Sequence, residues 1–81
     1  MAGAYMGETP QGTAEAFERC KDEGVAQAKA GNFGAASESF TRALQFVPDD
    51  FKLVLDRGYA LYYAKRYEAA LQDAERARSS F

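Results

Sequence analysis

Residues 17–47 read FERCKDEGVAQAKAGNFGAASESFTRALQFV, and residues 51–81 read FKLVLDRGYALYYAKRYEAALQDAERARSSF. Laid over each other with a displacement of 34, nine of the 31 aligned positions are identical, where this alanine-rich composition gives about three by chance. The identities are structural in kind: Phe17 with Phe51, Gly24 with Gly58, Ala26 with Ala60, Ala36 with Ala70 and Ala43 with Ala77, while Phe33 meets Tyr67. Self-similarity at one fixed period is the mark of a repeat, in which each unit buries an apolar face against its neighbour.

That register, with the breaks between its apolar stripes, implies four helices. Residues 1–12 mix Gly, Thr, Pro and Gln without periodicity and read as a flexible leader. Thr13 can accept hydrogen bonds from free amides, so the first helix is expected to open there and run to Ala30. Gly31 suits the left-handed conformation that ends a helix, and Asn32 suits the cap of the next. The second helix spans Phe33 to Phe46, with Phe33, Ala36, Phe40, Ala43 and Leu44 on one stripe. Pro48 breaks the chain, and Asp49 and Asp50 offer a cap and negative charge to a third helix over 51–64. Lys65 and Arg66 turn into a fourth helix over 67–78. No stretch alternates as a strand does, so the chain reads as all-α, two antiparallel hairpins in tandem.

A glycine inside a helix costs about 1 kcal/mol relative to alanine, so Gly24 and Gly58 at matching places point to one cause: close approach of the partner helix. Ala36 and Ala43, with Ala70 and Ala77, are the expected opposing surfaces, and Phe33 and Tyr67 the expected covers of each hairpin end.

Composition narrows the function. Eighty-one residues allow one small domain, 47% hydrophobic and 27% charged, with a net charge of −2. Near-neutral charge argues against a nucleic-acid module, which needs a basic stripe to displace phosphate counterions. No apolar run reaches the length of a membrane span, residues 1–12 lack the basic start and apolar middle of a signal peptide, and Ala2 stands where myristoylation needs glycine. A cytoplasmic or nuclear protein is the natural expectation. With no histidine and a single Cys20, read as a small buried hydrophobe, neither a near-neutral general base nor a metal or thiolate centre is expected. Asp22, Glu23, Asp56 and Glu75 lie among Lys and Arg at helical spacing and read as surface ion pairs. The chain is therefore expected to be noncatalytic and free of cofactors.

CKDEGVAQAKAGNFGAASESFTRALQFVPDD followed by VLDRGYALYYAKRYEAALQDAERA resembles two tetratricopeptide repeats. Cys20, Gly24, Phe33, Ala36, Phe40, Ala43 and Pro48 take the signature places of a unit over 17–50, and Val54, Gly58, Leu61, Tyr67, Ala70 and Ala77 those of a second over 51–81. Together with the start at Thr13, these define a repeat domain over 13–81. The second unit departs from the first where Ala74 replaces Phe40 and Arg78 replaces Leu44, and the sequence stops one residue before the counterpart of Pro48, so this unit looks trimmed. The resemblance implies an α-α superhelix, or solenoid, with the first helix of each unit on a concave side, and a role in binding proteins as part of a scaffold or adaptor. A narrower likeness is to co-chaperones, whose repeats hold the C-terminal carboxylate of a chaperone through Lys-x-x-Gly-Asn and Asn-Arg-Ala. Lys21 matches that motif; Val25 and Asp56 replace the two asparagines, and a carboxylate at 56 repels a carboxylate ligand.

On the face that the resemblance makes concave, Lys21, Val25 and Lys29 follow at four-residue spacing, and Lys52, Leu55, Tyr59 and Tyr62 form the matching row. Cations beside apolar and phenolic surface suit a peptide of mixed apolar and acidic character. Tyr67 and at least one of Tyr62 and Tyr63 are expected in packing rather than in the groove. A rival expectation is self-association: Ala69, Ala70, Leu71, Ala74 and Ala77 make the last helix apolar on a face that a second copy would cover, giving a homodimer or an exchange of hairpins.

Overall fold

In the computed structural model, which describes residues 10–79, the chain is all-helical: α1 Pro10–Lys29, α2 Phe33–Phe46, α3 Phe51–Tyr63 and α4 Tyr67–Ser79. α1 packs on α2, α3 on α4, and α2 on α3, so the chain forms two hairpins joined through their middle helices. Among the described residues there is no strand, and no helix is long and apolar enough to cross a membrane.

The ends of the helices follow local chemistry, with two corrections. α1 opens at Pro10, three residues before Thr13. Proline belongs in a first turn because its missing N–H has no intrahelical acceptor there. Residues 10–12 are thus helical rather than part of a leader, and the rest of that leader lies outside the described residues. Asn32 does occupy the position before α2, yet its side chain makes no capping bond. Asp50 does cap α3, its Oδ1 accepting from the Leu53 amide at 3.1 Å.

The two hairpin turns are built alike. After α1, the Gly31 amide donates to the Ala28 carbonyl at 3.0 Å and the Asn32 amide to the Gln27 carbonyl at 2.8 Å. Thirty-four residues on, Lys65 donates to Tyr62 at 2.9 Å and Arg66 to Leu61 at 2.8 Å. This paired closure requires a left-handed residue; Gly31 takes it at φ 86°, and Lys65 takes it at φ 68° without glycine's freedom.

Apolar residues at three- and four-residue steps meet in one core: Ala36, Phe40, Ala43 and Leu44 of α2, Leu53, Val54 and Ala60 of α3, and Ala77 of α4, flanked by half-buried Phe17, Cys20, Ala28 and Phe51. Gly24 and Gly58 are both buried at close approaches. A Cβ at Gly24 would sit 2.6 Å from Phe40 Cδ1 and 2.9 Å from its Cζ, so the partner is the Phe40 ring and not Ala36 or Ala43. A Cβ at Gly58 would lie 3.3 Å from Asp73 Cβ and 3.5 Å from the Ala70 carbonyl. With Ala74 in place of Phe40, the second hairpin closes on Asp73 Cβ and the Ala70 carbonyl instead of an aromatic ring.

Candidate functional site

Between α3 and α4 runs a groove of about 530 Å³ whose walls carry Leu55, Tyr59, Tyr62 and Tyr63 from α3 and Tyr67, Leu71 and Ala74 from α4, with Gly58 and Ala70 in its lining. Helical periodicity puts Leu55, Tyr59 and Tyr62 on one side of α3. Tyr67 and Leu71, one turn apart at the start of α4, supply the facing rim. The large side chains are open to solvent, Tyr59 at 62% and Leu71 at 59% of full exposure.

The rings hold one another. Tyr62 meets Tyr63 edge-on at 5.3 Å between centroids and Tyr67 at 5.4 Å, and Tyr63 leans on Phe33 of α2 at 5.1 Å. A continuous aromatic row thus crosses from the first hairpin to the second. Edge-to-face pairs of this kind stabilise their geometry by about 0.5–1.5 kcal/mol each, so the surface is largely fixed before anything touches it. Tyr62, Tyr63 and Tyr67 do pack between helices, as expected of Tyr67 and one of its neighbours, but they stay exposed and line the groove as well, which the expectation excludes. Tyr67, 56% exposed, does not cover its hairpin as half-buried Phe33 does under Tyr63.

Of the residues singled out from the sequence, Leu55, Tyr59 and Tyr62 share this groove. Val25 and Lys29 line a smaller recess of about 260 Å³ between the hairpins, together with Phe33, Phe40, Ala60 and Tyr59, which borders both. Lys21 and Lys52 line neither. Lys21 Nζ lies 3.2 Å from Glu18 and 5.4 Å from the Phe17 ring centre. Lys52 Nζ lies 3.7 Å from Asp56, and both pairs are exposed enough to be worth under about 1 kcal/mol. Glu23 pairs with Arg42 at 3.6 Å, whereas Asp22 and Glu75 have no ion pair among the described residues, contrary to expectation.

One polar feature escaped the sequence reading. Arg57 of α3 grips Asp73 of α4 through two parallel bonds, Nε to Oδ2 at 2.8 Å and Nη2 to Oδ1 at 2.7 Å, and its Nη1 donates to Thr41 Oγ1 of α2 at 3.2 Å. The hydrogen bonds and charge of buried Asp73 raise the Arg57 pKa, against the opposing pull of burial. A raised pKa in a cation means that its contribution is complete below the unfolded value and is lost only as pH climbs through the folded one. For arginine that window is strongly alkaline. In the first hairpin the aligned positions are Glu23 and Ser39, linked instead through Arg42, whose Nη2 donates to Ser39 Oγ at 3.1 Å. The Gln27 amide also contacts that hydroxyl at 2.7 Å.

Among the described residues, no cluster of three or more carboxylate and thiol side chains is placed to hold a metal ion. No family model matches the chain, and neither does any curated protein or solved structure.

Proposed function

We propose that this chain is a noncatalytic protein–protein interaction module of the tetratricopeptide type, taking a peptide segment of a partner against its α3–α4 groove within a scaffold or adaptor. The observation that carries this reading is the open row of Leu55, Tyr59, Tyr62, Tyr67 and Leu71 around one concave site. Tyrosines suit recognition: each offers a large, rigid contact with few rotamers to freeze, and a phenol that bonds at the edge. The 34-residue register and the repeated turn closure support a superhelical stack.

Chaperone C-terminal peptides are poor candidates. Asp56 stands where the clamp needs an amide, and Lys21 is held by Glu18.

The test is selection of binding peptides from a random library displayed against the chain, followed by titration of Tyr59→Ala and Leu71→Asp. Each variant should weaken the selected peptides by about tenfold or more, as truncation of a central anchor does. Unchanged affinity in both would move the binding site elsewhere.

Exposed Leu71 also favours a second reading, self-association through the same face. Sedimentation equilibrium separates the two, since a strict monomer at high concentration ends the case for a dimer.

A further inference from the structure

Arg57 does not spend its whole guanidinium on Asp73. Nε and Nη2 take the carboxylate at 2.8 and 2.7 Å, which leaves Nη1 to meet Thr41 Oγ1 at 3.2 Å. Arg57 also lines a recess of about 210 Å³ with Thr41, Leu44 and Gln45 of α2, Pro48 of the link and Arg76 of α4. All of these walls belong to the described residues, and none of them is shared with the tyrosine groove.

Arg76 is the second cation of this recess. Its Nη2 donates to the Pro48 carbonyl at 3.2 Å, and its guanidinium carbon lies 5.9 Å from the centre of the Phe51 ring. Those two contacts hold the group in place without neutralising it, for Arg76 has no ion pair among the described residues. Its counterpart 34 residues earlier, Arg42, does have one, with Glu23 at 3.6 Å. Among the described residues no carboxylate lines the recess. With Asp73 matched by Arg57, one positive charge is left over there.

From this cluster we infer a binding site for a phosphate monoester, gripped between Arg57 Nη1, Arg76 and the Thr41 hydroxyl. The arrangement of donors selects the class of anion. A planar carboxylate is best met by one guanidinium fork, yet the fork of Arg57 is closed on Asp73 and one arm of Arg76 is on Pro48. What remains is single donors converging from three helices. A tetrahedral phosphoryl group takes one donor on each outward oxygen and carries −1.5 to −2 charge at neutral pH, by the ordinary ionisation of such esters. The Thr41 hydroxyl donates to the Ser37 carbonyl at 2.8 Å in the free chain. Rotating it onto the anion exchanges a neutral bond for a charge-assisted one. Leu44 and Pro48 offer apolar wall to the carbon that bears the ester. Lys21, Val25 and Asp56, the positions of the co-chaperone motif, do not line this recess, so the site is independent of the peptide-groove reading.

The experiment titrates the 81-residue chain with glycerol 3-phosphate, with a capped alanine–phosphoserine–alanine peptide and with acetate. The pH is kept well above the second ionisation of the esters, about 6, and sodium chloride fixes the ionic strength. Amide chemical shifts of Thr41, Gln45 and Arg76 should move and saturate with both esters, and acetate should bind about tenfold more weakly or worse. Arg76→Gln should weaken the esters by about tenfold or more, and Thr41→Val by about three- to fivefold. Both side chains are exposed, so the fold survives their replacement, and helical circular dichroism checks it. Lys65→Gln removes the same charge outside the recess and should leave affinity unchanged. Tighter binding of the peptide assigns the phosphate to a partner's chain, and equal affinity assigns the site to the phosphoryl group alone; either upholds it. Acetate binding as well as the esters, shifts that never saturate, or an equal loss from Lys65→Gln and Arg76→Gln would each overturn the site and leave only diffuse attraction. The groove is untouched by that failure, since Tyr59→Ala and Leu71→Asp report on it separately.

Discussion

Gly24 and Gly58 occupy equivalent places but answer to different neighbours. Adding a methyl at Gly24 drives it into the buried Phe40 ring, and the expected cost is about 2 kcal/mol after helix propensity returns about 1 kcal/mol. At Gly58 the contacts at 3.3 and 3.5 Å are tight but yielding, so Gly58→Ala should stay within about 0.5 kcal/mol of neutral as the same propensity gain offsets the crowding. Urea unfolding of the two variants side by side checks the difference. Lys65 gives the opposite opportunity. It holds the left-handed angle that Gly31 holds in the first turn, so Lys65→Gly should stabilise the chain by about 0.5–1 kcal/mol, seen as a raised denaturation midpoint. Asp73→Ala should cost about 3 kcal/mol, because it strands the Arg57 guanidinium at 20% exposure without its partner. The double replacement Arg57→Met with Asp73→Leu should recover much of that loss, since no unpaired charge then remains.

At the level of the helices, sequence signals worked where a single residue forces a break. Gly31, Pro48 and the Lys65–Arg66 turn set the bounds of α2 and α3 within a residue of where the structure puts them. They failed at the start of α1, where Pro10 falls within the stretch read as a leader although proline fits a first turn. The groove was half legible. Leu55, Tyr59 and Tyr62 follow from spacing along one helix, whereas Tyr63, Tyr67 and Leu71 depend on how α4 sits against α3. A signal for that wall did exist: Leu71 aligns with Ser37 and Ala74 with Phe40, an apolar gain beside an aromatic loss. Arg57 and Asp73 lie 16 residues apart on different helices. Their aligned counterparts, Glu23 and Ser39, do not form a charge pair, so repetition gave no hint of them. Gly58 eases the approach without being required for it, since an added Cβ would still lie 3.3 Å from Asp73 Cβ.

Across the whole molecule, the hairpins share a backbone plan and differ in what they show to water. The outer wall of α1 carries Glu15, Glu18, Asp22 and Glu23 around Arg19, and on its other side the first hairpin packs against α3. The second is covered by the first on one side, and on the other its Tyr59, Tyr62, Tyr67 and Leu71 side chains are exposed. For a protein of this size a single core seldom supplies more than about 3–5 kcal/mol, so whatever seats on α3 and α4 should also raise stability. A saturating groove ligand should lift the thermal midpoint by several degrees, as mass action on the folded state requires. Scanning calorimetry with and without a selected peptide reads this directly.

The carboxylate-studded exterior of α1 makes the molecule a one-way building block. Were two copies spliced in series by genetic duplication, the seam would oppose Glu23 to Glu75, in register with the contact of Arg57 on Thr41. Between exposed carboxylates that repulsion is worth less than about 1 kcal/mol, so the joint would be loosened and would tighten as salt is added.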